Sequence, residues 1–326
     1  MKQRKTIAVT GSTGRVGHLV AEILLSSGHR VRAVARSAER LAKLEALGAE
    51  ICVGSLEDRH FLTQVFHGCD GAFVLSPVDT SAPDVNAEQM RNVKATAAAV
   101  ADSRVKNVVL LSSWGAELPE QVGGIIACRH FERLLNGIPG LNAVYLRPVW
   151  FMENFLWNIP LVKMAGINGL AIRRDVSFPM IATGDIAPIA AGYLADLDFR
   201  GRNIRYLEGA KNYTMNEVTR ILGVSIGRPN LKYIEFPKSV MRQGLIKSGG
   251  LSPNAAGLAV EINQAISNQC LKAEMRSESN TTPTTLEEFA QTTFAPAFRE
   301  ASAASVSDRL GGLLLRSFLF LIGSRA

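Results

Sequence analysis

The sequence predicts an α/β fold, a doubly wound parallel sheet with helices on both faces, joined to a smaller α+β C-terminal part. Three observations carry this expectation. A short apolar run at residues 6–10 leads straight into closely spaced glycines and then a stretch of helical spacing. Apolar runs alternate with such stretches over the first 150 residues or so, the pattern of strands joined by crossover helices. After Pro148 the alternation loosens.

Residues 6–10 form the first strand, and Val16, Leu19, Val20, Ile23 and Leu24 then share one face of a helix over 16–26. The second strand is 30–36, where Val31, Ala33 and Ala35 alternate with Arg32, Val34 and Arg36. A helix over about 38–47 follows, Gly48 stops it, and 50–53 is the third strand. Ser55 with Asp58 three residues later resembles a capping box that opens a helix to about Phe66. Strands at 71–75, 108–112 and 143–147 are separated by helices near 85–101 and 129–136. The second part carries a helix at 154–163, a strand at 176–179, a helix at 185–197 and a strand at 202–208. Thr214 and Glu217 then cap a helix to about Leu222, and 232–236 is the last strand. The expected organisation is a nucleotide-binding domain over 1–150, a smaller substrate-binding part over 151–298 and a tail over 299–326.

A chain of 326 residues with 47% hydrophobic and 20% charged residues buries a real core, which excludes wholesale disorder. Its four cysteines, Cys52, Cys69, Cys128 and Cys270, are scattered and have no CxxC spacing, so neither a disulfide scaffold nor a metal site is expected. The net charge of +7 invites a nucleic-acid partner. That excess is spread as +3 over residues 1–150, +2 over 151–298 and +2 over 299–326, and no nucleic-acid-binding signature accompanies it. No secretory signal fits the start, and no segment offers the ~20 apolar residues of a membrane span. The nearest approach, 310–323, is broken by Arg316. It reads as a helix that docks on the body or on a protein partner or homo-oligomer, with membrane-surface attachment as the alternative. These features predict a soluble cytoplasmic protein.

The sharpest motif is Gly11-Ser12-Thr13-Gly14-Arg15-Val16-Gly17, set between the first strand and the first helix. That context turns a weak glycine pattern into a dinucleotide-binding fingerprint. Gly11 permits the tight turn, Gly14 lets backbone approach a pyrophosphate and Gly17 lets helix pack on strand. The backbone N–H groups at the helix start supply the anion site. The expected fold is therefore Rossmann-like. Roughly 20 residues further on, where an acidic residue bonds the ribose of NAD, stand Arg36 and Ser37. A guanidinium there favours the 2′-phosphate of NADP(H), and Arg15 is a second candidate for it. Ser76 and Ser112, at later strand ends, are further cofactor-side candidates, since ligands bind at that edge of open α/β sheets.

The glycine spacing, Arg36, Leu111-Ser112-Ser113 and Leu146-Arg147-Pro148 followed by Phe151-Met152-Glu153-Asn154 together resemble the NmrA-like family, an atypical branch of the short-chain dehydrogenase/reductases. The resemblance extends to Gly184-Asp185-Ile186-Ala187 and to residues 280–285, just before Leu286–Phe289. It implies bound NADP(H) and either reduction of small aromatic or quinone-like compounds or a non-catalytic sensing role.

Most short-chain dehydrogenases use a Tyr with Lys four residues later. None of Tyr145, Tyr193, Tyr206, Tyr213 and Tyr233 has that Lys, and the segment where the family pattern places the pair carries Cys128, Arg129 and His130. Two substitutes stand. His130 can donate the proton, or the acceptor takes hydride with its proton from water while the protein orients the reactants. Trp114, Trp150 and Trp157 follow expected strand ends, with Phe151, Met152 and Phe155 beside them. They wall either an apolar acceptor pocket or an inter-domain core, and Asn154 and Glu153 are the polar residues of that run. The leading expectation is an NADP(H)-dependent oxidoreductase for a small apolar, aromatic or quinone-like acceptor. The alternative is an NADP(H)-sensing regulatory protein without turnover.

Overall fold

The computed structural model describes residues 3–301 apart from 121 and 248. Its strands are β1 (Thr6–Val9), β2 (Arg30–Ala35), β3 (Glu50–Val53), β4 (Gly71–Leu75), β5 (Asn107–Leu111), β6 (Asn142–Pro148), β7 (Trp150–Phe151), β8 (Ile167–Leu170), β9 (Phe178–Ile181), β10 (Arg202–Leu207), β11 (Asn212–Tyr213) and β12 (Lys232–Glu235). Its helices are α1 (Arg15–Ser26), α2 (Ala42–Ala46), α3 (Arg59–Phe66), α4 (Val85–Ser103), α5 (Ile126–Asn136), α6 (Ile159–Ala165), α7 (Thr183–Asp196), α8 (Met215–Ser225), α9 (Lys238–Lys247), α10 (Pro253–Ser267), α11 (Leu286–Phe289) and α12 (Ala295–Glu300).

Seven parallel strands form the main sheet in the order β10-β6-β5-β4-β1-β2-β3. Successive side chains of a strand point to opposite faces, so each strand feeds two cores. Ile7, Val9, Phe73, Val109, Val144 and Leu146 go to one face, where α1 and α7 supply Val20, Leu24, Ile186 and Leu194. Ala8, Ala72, Val74, Val108, Leu110 and Tyr145 go to the other, under Leu62 and Phe66 of α3, Val93 and Val100 of α4 and Phe131 and Leu135 of α5. Burial on both faces is why these strands read as nearly continuous apolar runs.

Three local expectations are revised. The cap of α3 is Asp58, whose Oδ1 accepts from Phe61 N at 3.0 Å, because Ser55 is spent on a turn in which its hydroxyl accepts from Glu57 N. The strand expected at 202–208 within the smaller part is β10, and it adds in parallel to β6 at the edge of the main sheet. The helix expected at 154–163 begins as a 3₁₀ segment, Met152–Asn158, because Pro160 lacks the N–H of a continuous helical ladder. Helices α9 and α10 were not foreseen, although Ser252 followed by Pro253 is a helix-start signature, and Ser252 Oγ does accept from Ala255 N. The capping box of Thr214 and Glu217 forms as expected at α8.

Two small sheets, β11-β9-β7 and β12-β8, complete the second part. Among the described residues, no helix is long and apolar enough to cross a membrane, and no group of three or more His, Cys, Asp or Glu is placed to hold a metal. The tail at 302–326, with its expected docking segment, lies outside the described residues.

Candidate functional site

Strand β1 lies between β2 and β4, so the chain leaves it in one direction and later returns on the other side. The C-terminal end of such a strand is the switch point where open α/β sheets bind ligands. There the glycine loop is held from below. Thr10 N donates to Phe73 O, Ser12 N to Val34 O, and the Ser12 hydroxyl to Val9 O at 2.7 Å. Gly11 turns at φ +63°, a region costly for residues with a Cβ. A Cβ on Gly17 would lie 2.4 Å from Gly11 O, so no side chain fits between helix and loop. Val16 is buried against the core and serves packing, with only its backbone at the loop.

Gly14 is the N-cap of α1 and brings no side chain to the first-turn N–H groups, and no acidic residue occupies that turn. Those donors carry the positive end of the helix dipole. They border a cleft of about 550 Å³ lined by Thr13, Gly14, Arg15, His18 and Leu19 on one side, and by Glu153, Ala182, Thr183, Gly184, Thr284, Glu288, Phe289, Thr292 and Thr293 on the other. The bare helix start and the missing Cβ atoms fit a pyrophosphate, and Arg15 stands at the same rim.

Glu153 is 8% exposed. Its Oε1 accepts from Thr183 N at 2.9 Å and from Thr183 Oγ1 at 2.5 Å, which ties it to the start of α7, while its buried Oε2 has no partner. A buried acceptor without a donor is costly, and here it borders the cleft. The far wall is pinned by Asp185, whose carboxylate accepts from Thr284 Oγ1 at 2.7 Å and from Thr284 N at 3.1 Å.

The remaining cofactor candidates separate. Arg36, just past β2, is three-quarters exposed, with its Nη1 4.0 Å from Asp79 Oδ2. Ser76 accepts from Gln89 Nε2 at 3.2 Å. Ser112 is engaged elsewhere. Its hydroxyl donates to Glu132 Oε1 at 2.5 Å, inside a buried network that Arg147 completes by pairing with both oxygens of Glu132 at 3.0 and 2.6 Å. Arg147 also donates to Glu117 at 2.9 Å and to the Tyr206 hydroxyl at 2.7 Å. Contacts with Glu132 and Tyr206 outweigh burial and keep the guanidinium charged.

No tyrosine replaces the missing proton donor at the cleft. Tyr145 donates to Asn136 Oδ1, Tyr233 to Ile172 O, and Tyr213 is fixed between Leu286 N and Glu287. Burial pushes Tyr213 up to about 12 and raises Tyr145, Tyr206 and Tyr233 as well. His130 is half-buried on α5 and does not line the cleft.

The aromatic run is dispersed. Trp114 is 4% exposed in the core, its indole donating to Lys272 O at 2.8 Å. Trp150 packs edge-on against Phe178, with its Nε1 buried and without a partner. Met152 and Phe155 are fully buried, Phe151 and Asn154 are half-buried, and Trp157 is 60% exposed. None of these lines the cleft, because the 3₁₀ segment turns its apolar face into the core and only Glu153 toward α7. Sequence reasoning gave the Thr284–Thr293 side of the cleft no site role, although residues 280–285 carry part of the family resemblance. The Thr282-Pro283-Thr284-Thr285 run ahead of a helix was its one available signal.

A model of the NmrA-like family matches residues 3–290. The (4-alkanoyl-5-oxo-2,5-dihydrofuran-3-yl)methyl phosphate reductase of Streptomyces griseus is 30% identical over 240 residues, covering 74% of this chain and 80% of its own. The NAD(P)H azoreductase of Xenophilus azovorans is 25% identical, covering 74% and 81%. Among solved structures, the NADPH-dependent quinone oxidoreductase of Escherichia coli complexed with NADPH superposes with a TM-score of 0.76 at 22% identity, covering 88% of this chain and 99% of that one.

Proposed function

The chain belongs to the NmrA-like family, and on that premise we propose that it is an NADP(H)-dependent oxidoreductase reducing a small apolar, aromatic or quinone-like acceptor. The observation that carries this reading is the uncapped start of α1 behind a turn only glycine accommodates, opening on a cleft of about 550 Å³ at the switch point. The two relatives, an NAD(P)H azoreductase and a reductase of an unsaturated lactone, agree in reaction type. When bound, the cofactor supplies hydride. The chain's part is to hold and orient. The backbone of Gly11, Ser12, Thr13, Gly14, Arg15, Val16 and Gly17 receives the pyrophosphate, Arg36 faces the 2′-phosphate, and Ser76 borders the same edge.

Residues 1–150 hold the cofactor in this reading, while 151–298 shape the acceptor side, with β10 and α7 returning to support the sheet. No tyrosine lines the cleft, so the proton comes from water, or from His130 if α5 opens toward the acceptor. A cytoplasmic location accompanies the reading, consistent with four dispersed free cysteines.

The test is oxidation of NADPH against quinones, azo dyes and aldehydes, followed by the near-ultraviolet absorbance of the reduced nicotinamide. Turnover with one acceptor class supports the reading. Tight cofactor binding without turnover on any acceptor overturns it in favour of a non-catalytic NADP(H)-sensing protein, the reading that the missing Tyr/Lys pair favours.

A further inference from the structure

We propose that Asp79 sets the cofactor preference: it restrains the 2′-phosphate site, so that NADP(H) is favoured only weakly over NAD(H). The inference rests on Arg36 facing the 2′-phosphate, and it concerns what stands opposite Arg36.

The loop between β4 and α4 brings Asp79 Oδ2 to 4.0 Å from the Arg36 guanidinium. That carboxylate is held in place. Its Oδ1 accepts from Ser81 N at 2.9 Å and from Ser81 Oγ at 2.6 Å, and Asp79 O accepts from Ala82 N. The bonds from Ser81, more than the charge of Arg36, lower its pKa, so it is ionised at any working pH. The loop itself is held beside Asp79 and at its C-terminal end. Ser252 N donates to Thr80 O at 2.8 Å, and Asn254 Oδ1 accepts from Val85 N at 3.0 Å. Asp79 therefore cannot leave by a side-chain rotation or by a loop shift without breaking several hydrogen bonds.

The surroundings add to its charge. Glu88, in the first turn of α4, feels both Asp79 and Arg36, and burial together with Asp79 raises its pKa. The nearby cation Arg91 is paired with Glu57 at 3.1 Å. A phosphate dianion arriving at Arg36 thus meets a guanidinium already matched by one carboxylate. The attraction is partly cancelled by repulsion from Asp79 at similar range, in water-exposed surroundings where salt screens both. A 5′-phosphate on the glycine loop lies at the helix start and escapes this opposition.

The experiment measures binding of 2′,5′-ADP and 5′-AMP to the full chain by calorimetry, for the wild type, Asp79→Asn, Ser81→Ala and Arg36→Ala. Asn keeps the oxygen that Ser81 bonds and removes only the charge. Asp79→Asn is expected to tighten 2′,5′-ADP about fivefold, the scale of one exposed ion pair, and to leave 5′-AMP within about twofold. The gain shrinks as salt rises. Ser81→Ala moves in the same direction by less. Equal tightening of both ligands, or none, overturns the role of Asp79 even if Arg36→Ala abolishes the preference for 2′,5′-ADP. If instead Arg36→Ala leaves that preference intact, the placement of the 2′-phosphate fails, and this inference with it.

Discussion

The ends of β1 and of β5–β6 lie on the same edge of one parallel sheet, where the glycine loop and Ser112 are expected on the cofactor side, yet they are finished in opposite ways. At β1 the loop is bonded underneath and left bare above, with first-turn donors of α1 that no side chain meets. At β5–β6 the polar groups satisfy one another, Ser112 and Arg147 on Glu132, and Tyr206 and Glu117 on Arg147. An edge position is therefore not enough to mark a binding residue. What marks it is hydrogen-bonding capacity that the fold leaves unused.

Breaking the closed end is expected to have the largest effect. Glu132→Ala strands a buried guanidinium, a loss of about 3–5 kcal/mol in such pairs, lessened here by Glu117. Urea denaturation measures it, and a loss below about 1 kcal/mol would mean that the network is not a structural lock. Next is the open end. Gly17→Ala puts a methyl 2.4 Å from Gly11 O and displaces the loop, for about 1–3 kcal/mol of stability and at least a tenfold loss of cofactor affinity by fluorescence titration. Ser112→Ala sharpens the contrast. It removes one of the donors on Glu132 for about 1 kcal/mol, with NADPH affinity unchanged within about twofold. A large loss of affinity there would return Ser112 to the cofactor site.

The smallest expected effect belongs to an end that is only half closed. Past β10, Glu208 is fully buried, its Oε1 accepting from Glu274 N and its Oε2 without a partner. Burial raises its pKa. A carboxyl raised in the folded state stabilises fully below its unfolded pKa and loses that contribution as pH rises through the folded one. Glu208→Gln should therefore gain stability over the wild type at neutral pH and show no gain near pH 4, as read from thermal unfolding at both pH values. A gain that does not change with pH would show that the Glu208 carboxyl titrates alike in the folded and unfolded chain, and the raised pKa would fall.

Much of this was legible in residue order. Gly11, Gly14 and Gly17 announced the loop, the alternation of apolar runs announced the sheet, and Thr214 with Glu217 announced a helix start that forms as read. Ser112, Trp114 and Trp157 follow strand ends yet do not line the cleft. A strand-end position says where a backbone stops and nothing about which distant group meets the side chain.

By itself the sequence determined whatever depends on neighbours within about four residues: a left-handed turn at glycine, helical and strand periodicity, and caps. Family membership and the dinucleotide fingerprint follow from that local chemistry. Tertiary structure alone decided that β10 returns to the sheet, that Glu132 claims Ser112 from 20 residues away, that Glu153 meets Thr183 across 30, and that Asp79 stands opposite Arg36. Pairings of that span depend on how the whole chain packs, because a buried polar group takes its partner from whatever the assembled fold brings within hydrogen-bond reach.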